Sequence, residues 1–426
     1  MTVIGDSFSG TSLTILVILD LRSGKRHFIF HSESNMYCFD APSGTVKSKI
    51  IGPDQRKNAI FFCLDVDRDG MVKKERGGCL THLLTPLSPN MMAPPVTFVL
   101  PDLMAGWPFK TTPNPHATQI NAESAAWVQS YDAFNAKAQR TFDRCNFGAF
   151  AALAYPKAEP AHYRAAVDLI NYYFVYDELS DEESGETVRK QAGAIMNAIR
   201  NPYAPPPPNE HILGVMARDF WIRTMEEGHA SESTAKRFVE AFAQYTDCVA
   251  QQAEDRDVGR IRPIEEYLAM RRGTVGVRPS FDFFMLSEDL PDEAVKHPQI
   301  EKLVLGAIDL SILSNDIYSW NVEQAHGDEN HNIVSVTMAE KGMSIQEAMD
   351  DVGKRYGKLS KAFLEDMKHI PAFPEPVNRR LREFVMFLGI WVTTNDEWSF
   401  ITPRYFGEAA PEIREHRTVE LLPKRK

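Results

Sequence analysis

The sequence is short of cysteine, of long apolar runs and of positive charge. Five cysteines (Cys38, Cys63, Cys79, Cys145 and Cys248) stand in 426 residues, an odd number with no CxxC pair. That usage argues against a disulfide framework or a structural zinc site and fits a reducing, cytoplasmic setting. The longest N-terminal apolar run, Leu13 to Leu19, is interrupted by Thr14, lacks a basic leader and is too short to span a bilayer. Neither a signal peptide nor a transmembrane helix is expected. Lys and Arg number 47 against 58 Asp and Glu, a formal net charge of −11. Nucleic acid and anionic membrane surfaces are therefore disfavoured as partners. An anionic substrate would have to be drawn by local cations or metal.

What is present suits a globular protein with an ample core, at 43% hydrophobic and 25% charged residues. Length alone suggests two or three domains, yet helical patterning from about 120 to 420 shows no dividing linker. The run Pro205-Pro206-Pro207-Pro208 reads as a rigid interhelical loop. Residues 1–95 differ in character. Ile15–Leu19, His27–Phe30 and Ile60–Leu64 are short β-type runs between turn-rich segments. This extension could be an appended β module, a poorly ordered tail or a mistaken gene start. Two metal-like patterns are set aside. Asp65-Val66-Asp67-Arg68-Asp69-Gly70 opens like an EF-hand loop, but Arg76 stands where the bidentate Glu is needed. His326 and His331 miss the HExxH spacing, with Gly327 between them.

Two acidic signatures lie 138 residues apart, counted from Asp177 to Asn315. The first is Asp177-Glu178-Leu179-Ser180-Asp181. It extends an apolar stripe through Ile170, Tyr173 and Phe174, which is core periodicity. Four residues advance a helix by about 400° and rise about 6 Å, so Asp177 and Asp181 share a face. The second signature is Asn315-Asp316-Ile317-Tyr318-Ser319-Trp320-Asn321-Val322-Glu323. Asn315, Ser319 and Glu323 continue the inward stripe of Val304, Ile308 and Ile312 at four-residue steps. Asn and Ser are mediocre helix formers, so both on an inner face need a reason. An amide oxygen, a hydroxyl and a carboxylate converging on a hard cation such as Mg2+ supply one. Such ions are commonly completed by substrate phosphates.

The pair resembles the D(D/E)xx(D/E) and NDxxSxxxE motifs of class I terpene synthases. Further segments resemble fungal, specifically basidiomycete, sesquiterpene synthases: Pro101-Asp102-Leu103 with Trp107-Pro108, Glu123-Ser124 with Trp127, and Glu266-Tyr267 leading to Arg271-Arg272-Gly273-Thr274-Val275-Gly276. Asn321-Val322-Glu323-Gln324, Gly327-Asp328 with His331-Asn332, Asn395 with Trp398-Ser399, and Arg404-Tyr405-Phe406 continue the series. The resemblance covers roughly residues 100–426. Val188-Arg189-Lys190-Gln191, Asp255-Arg256-Asp257 and Leu421-Leu422-Pro423-Lys424-Arg425 are most similar to Δ6-protoilludene synthases.

The resemblance implies an all-α helical bundle of the class I terpene (isoprenoid) synthase type over 96–426, preceded by an atypical extension at 1–95. It implies Mg2+-dependent ionisation and cyclisation of farnesyl diphosphate, with three Mg2+. Asp177, with Asp181 as a further candidate, would hold two ions, and Asn315, Ser319 and Glu323 the third. Arg272 is the leading candidate for the diphosphate sensor and Arg271 the adjacent alternative. Arg404 and Tyr405 match a C-terminal RY pair that binds the diphosphate. Val322 departs from the pattern, because many bacterial relatives carry Lys there. Tyr173 and Phe174, one turn before Asp177, are expected as walls that shield a carbocation, with Trp391 and Trp398 as further candidates. The expected closure joins C1 to C11, toward Δ6-protoilludene. A 1,10-closure, or a non-catalytic helical interaction protein descended from a synthase, are the alternatives. A chain-elongating prenyltransferase would carry two Asp-rich motifs, and the second motif here is Asn/Ser/Glu. A chain starting at residue 96 is expected to keep its turnover of farnesyl diphosphate, measured as product per enzyme. A soluble but inactive truncation would give the extension a catalytic part.

Overall fold

The structure, a computed structural model, describes residues 96–424 in full and, before them, the backbone of four strands. The chain divides into two units, Met1–Ala93 and Pro94–Lys426, each described by itself. In the first, strands β1 (Thr14–Asp20), β2 (Arg26–Ser32), β3 (Asn35–Asp40) and β4 (Ala59–Leu64) form an antiparallel sheet in the order β3-β2-β1-β4. The three β-type runs of the sequence fall in β1, β2 and β4. Strand β3 had no such signal, because Asn35 and Asp40 bound a short mixed run. The EF-hand-like segment Asp65–Arg76 lies outside the described residues.

The second unit opens with β5 (Thr97–Val99) and continues through helices α1 (Ala117–Gln129), α2 (Ala136–Arg144), α3 (Phe147–Ala154), α4 (Pro160–Ser180) and α5 (Gly185–Arg200). Then follow α6 (Ile212–Glu226), α7 (Glu232–Asp257), α8 (Ile264–Thr274), α9 (Val277–Phe284), α10 (Asp292–Val295) and α11 (Pro298–His326). The chain ends with α12 (Ile333–Lys341), α13 (Ile345–Asp366), α14 (Val377–Ile401), α15 (Pro403–Phe406), α16 (Ala410–His416) and β6 (Thr418–Glu420). This is the all-α bundle expected of the sequence. Among the described residues no helix is long and apolar enough to cross a membrane.

Helices α4 and α11 are central. Both begin with a proline in the first turn, where its missing N–H costs nothing. Helix α11 ends at Gly327, whose left-handed conformation (φ 94°) suits glycine. Helix α4 packs on α1, α3, α6 and α9, and α11 packs on α8, α12, α13 and α14. Tyr163, Tyr172 and Tyr176 of α4, Tyr318 of α11 and Trp398 of α14 are among the largest fully buried side chains. Such aromatics supply most of the apolar area that holds the bundle.

Two local features position the site. Gly276 separates α8 from α9 in a left-handed conformation (φ 68°), and a Cβ there would lie 3.3 Å from Cε1 of Tyr173. The C-terminal tail returns to the start of the unit, where β6 pairs antiparallel with β5. It is also fixed to α11. Asn321 donates to the carbonyl of Glu420 (2.8 Å) and accepts from Leu422 N–H (3.0 Å), and Gln324 donates to the carbonyl of Leu422 (2.8 Å). Gly276→Ala should destabilise the protein by about 1–2 kcal/mol from the left-handed backbone alone. Denaturant unfolding of the purified variant checks this.

Candidate active site

Asp177 lies in the last turn of α4 and Asp181 caps it, with the Asp181 side chain exposed. Asn315, Ser319 and Glu323 occupy successive turns of one face of α11. Helix α15 stands between the two motifs, and its first residues are set by Thr402, whose hydroxyl accepts from Arg404 N–H (3.2 Å). Arg404 forks onto both acids of the first motif, reaching Asp177 at 3.0 Å and Glu178 at 2.6 Å. Its guanidinium also sits 5.6 Å over the Phe174 ring. The next residue, Tyr405, accepts at its hydroxyl from the Asn315 amide (3.0 Å). Asn315 in turn accepts from Arg271 (2.8 Å). A continuous polar chain therefore joins the two signatures: Asp177, Arg404, Tyr405, Asn315 and Arg271.

Behind this chain Asp316 is completely buried. It is held by Arg271 (3.2 Å), by the backbone N–H of Ile333 (2.9 Å) and by the Tyr267 hydroxyl. Burial pushes its carboxyl up, against the Arg271 charge and these three donors. Glu323 is less well served. Burial, then the neighbouring Asp316 charge, push it up to about 7, against hydrogen bonds from Ser319 and Asn332. A half-buried carboxylate so placed, one turn from a hydroxyl and two from an amide oxygen, suits a hard divalent cation. Among the described residues no group of three or more His, Cys, Asp or Glu is arranged to hold a metal. The donors of α11 are of mixed type, and in the first motif Arg404 occupies the carboxylates of Asp177 and Glu178.

The two candidate sensor arginines part company on α8. Arg271 reaches Asn315 and Asp316, whereas Arg272 forms a two-point pair with Asp309 (2.7 and 2.8 Å). Arg272 lines a separate cavity of about 440 Å³ with Arg237, Arg278, Asp282 and Glu301. Adjacent residues of a helix diverge by about 100°, so only one of the pair can face α11's polar stripe. The same divergence separates Tyr173 from Phe174. Tyr173 lies beside Gly276 and packs edge-on to Tyr245 at 5.0 Å. Phe174 stacks on Phe147 at 3.7 Å and lies 5.7 Å from Trp398. Trp398 packs also on Phe150 and Tyr405, and Trp391 on Phe150 and Phe281. An aromatic wall from α3, α4 and α14 thus lies below the polar chain. His331, set aside as a zinc ligand, lies edge-on to the Tyr267 ring at 5.1 Å.

Sequence reasoning missed Asp316 as the shared partner of Arg271 and Tyr267, Phe147 beneath Phe174, and Asn332 beside Glu323. Glu266-Tyr267 and His331-Asn332 were visible as segments. Nothing in their spacing says that they meet on α11.

The chain is similar to several known proteins. Residues 168–361 match the model of terpene synthase family 2, C-terminal metal binding. A Δ(6)-protoilludene synthase of Stereum hirsutum is 44% identical over 336 residues, covering 78% of this chain and 95% of that protein. One of Armillaria gallica is 42% identical over 325 residues, covering 76% and 94%. Sesquiterpene synthase 14 of Postia placenta is 40% identical over 330 residues, covering 78% and 93%. Among solved structures, α-eudesmol synthase shares the fold with a TM-score of 0.62 at 21% identity, over 69% of this chain and 97% of that one. Hedycaryol synthase in complex with nerolidol gives 0.60 at 18% identity, over 71% and 100%. The chain belongs to the terpene synthase family, among the basidiomycete class I sesquiterpene synthases, enzymes that act as lyases on diphosphates.

Proposed function

We propose that this chain ionises farnesyl diphosphate in a Mg2+-dependent reaction, closes C1 onto C11, and releases diphosphate and Δ6-protoilludene. The observation that carries this reading is the polar chain from Asp177 through Arg404, Tyr405 and Asn315 to Arg271. It gathers two acidic motifs and two guanidinium groups above an aromatic wall. Asp177, with Asp181, and Asn315, Ser319 and Glu323 would hold the Mg2+, three ions in all. Bound there, the ions would neutralise charge on the departing diphosphate.

The residues of the chain supply the rest. Arg404 and Arg271 present planar forks that suit phosphate oxygens as well as carboxylates. Tyr405 adds a hydroxyl donor; burial and its neighbours push its phenol up to about 12, so it keeps its proton at neutral pH. When the C1–O bond breaks, its electron pair leaves with diphosphate and an allylic cation remains. Ring faces of Phe147, Phe174, Tyr173 and Trp398 then stabilise positive charge by about 0.5–2 kcal/mol each and exclude water. Loss of one proton from the cyclised cation gives the hydrocarbon. The 1,11-closure rests on the protoilludene synthases among the relatives.

Incubation of the protein with farnesyl diphosphate, with and without Mg2+, followed by gas chromatography and mass spectrometry of the headspace, should give protoilludene only with metal. A germacrene- or cadinene-type major product would replace the 1,11-closure with a 1,10-closure. No metal-dependent hydrocarbon would leave the non-catalytic alternative. Asn315→Ala and Glu323→Ala should each lower turnover roughly 10²-fold or more while the helix stays folded by circular dichroism. Arg271→Ala should cost a similar factor in steady-state rate. Arg272→Ala should change the rate little, since its partner is Asp309.

A further inference from the structure

Beside the second motif lies Asn332, a fully buried amide that begins α12. Its oxygen accepts from Val334 N–H (2.9 Å) and caps the helix. Its nitrogen faces the other way, into α11. There it donates to Glu323 Oε2 (2.9 Å) and the Asp316 carbonyl (2.8 Å), with the Ser319 hydroxyl at 3.4 Å. One NH2 group thus spans two of the three proposed α11 metal ligands and the backbone carbonyl of Asp316 that precedes them.

We propose that Asn332 is a positioning residue that presets the Glu323 carboxylate and the Ser319 hydroxyl for a divalent cation. This rests on the metal reading given above. The argument is geometric. A Glu side chain has three rotatable bonds, and a ligand that must be ordered at the moment of binding weakens the site. The Asn332 donor fixes one oxygen of Glu323, Oε2. Helix α12 fixes the donor in turn, because the same side chain caps it. A nitrogen donor bearing no charge can do this without competing for the cation, whereas a lysine or arginine would repel it. The next residue completes the arrangement, since Ile333 N–H holds the Asp316 carboxylate. The Asn332–Ile333 dipeptide therefore fixes the α11 motif at two points, one on a proposed ligand and one on the acid behind it.

The two halves of the Asn332 amide can be separated by mutation. Asn332→Ser retains a helix-capping oxygen but has no donor long enough to reach Glu323. The backbone at 332 is extended (φ −144°, ψ 133°), so serine fits without strain. Asn332→Ala loses both functions, so its difference from Asn332→Ser measures the cap. The Ser variant should unfold at a temperature near that of the unaltered protein, and Ala clearly lower. For the Ser variant, the Mg2+ concentration giving half-maximal turnover should rise roughly 10- to 100-fold, the usual effect of removing a hydrogen-bond partner of a metal ligand. Turnover should recover as Mg2+ is raised. A second readout needs no turnover: calorimetric binding of inorganic diphosphate in the presence of Mg2+ should weaken by a comparable factor. An unchanged Mg2+ requirement, or a loss that metal does not restore, would overturn the positioning role. Glu323→Ala run in parallel separates the two levels of the argument. If it too leaves the Mg2+ dependence unchanged, the metal reading of α11 falls, and the role of Asn332 with it.

Discussion

A carboxylate taken out of water is the constraint on which the head of this bundle depends. Asp316 is completely buried, and an ionised acid without partners there would cost several kcal/mol. Arg271 and Tyr267 of α8 and the Ile333 N–H at the start of α12 supply those partners. Arg271 is thereby tied to α11, and through it Asn315 and Tyr405 are placed. Tyr405 brings Arg404, and Arg404 brings the end of α4. One buried charge fixes, by successive hydrogen bonds, the relation between two motifs far apart in sequence.

The same chemistry makes the arrangement convertible. A guanidinium fork matches carboxylate and phosphate equally well. In the structure described here the forks of Arg404 and Arg271 are taken by Asp177, Glu178, Asn315 and Asp316. On the proposed reading, cations would satisfy the acids and diphosphate would satisfy the arginines, so partners are exchanged without leaving any charge unpaired. This explains why acidic and basic groups lie interleaved rather than in separate patches on a chain of net charge −11.

Much of this could be read from residue spacing. The four-residue step of Asn315, Ser319 and Glu323 is a property of one helix, and local periodicity reports it directly. So does the all-α character of the chain after residue 96. Which acids Arg271 and Arg272 each reach was not legible, because it depends on how α8 is rotated against α11. Tyr173 and Phe174 show the same limit: their stripe was visible, but neighbouring positions 100° apart meet different helices. Strand β3 of the N-terminal sheet went unseen because a six-residue run with polar ends gives little alternation to detect.

Strands β5 and β6 join the two ends of the helical unit, and the residues after β6 lie along α11. The consequence is one of timing. On the ribosome α4 and α11 emerge before Arg404, Tyr405 and the residues of β6, so the acids of α4 wait for their counter-charge until α15 has followed. The nascent protein passes through a stage with its helices made and its head electrostatically incomplete, which ends when Arg404 and Tyr405 have emerged.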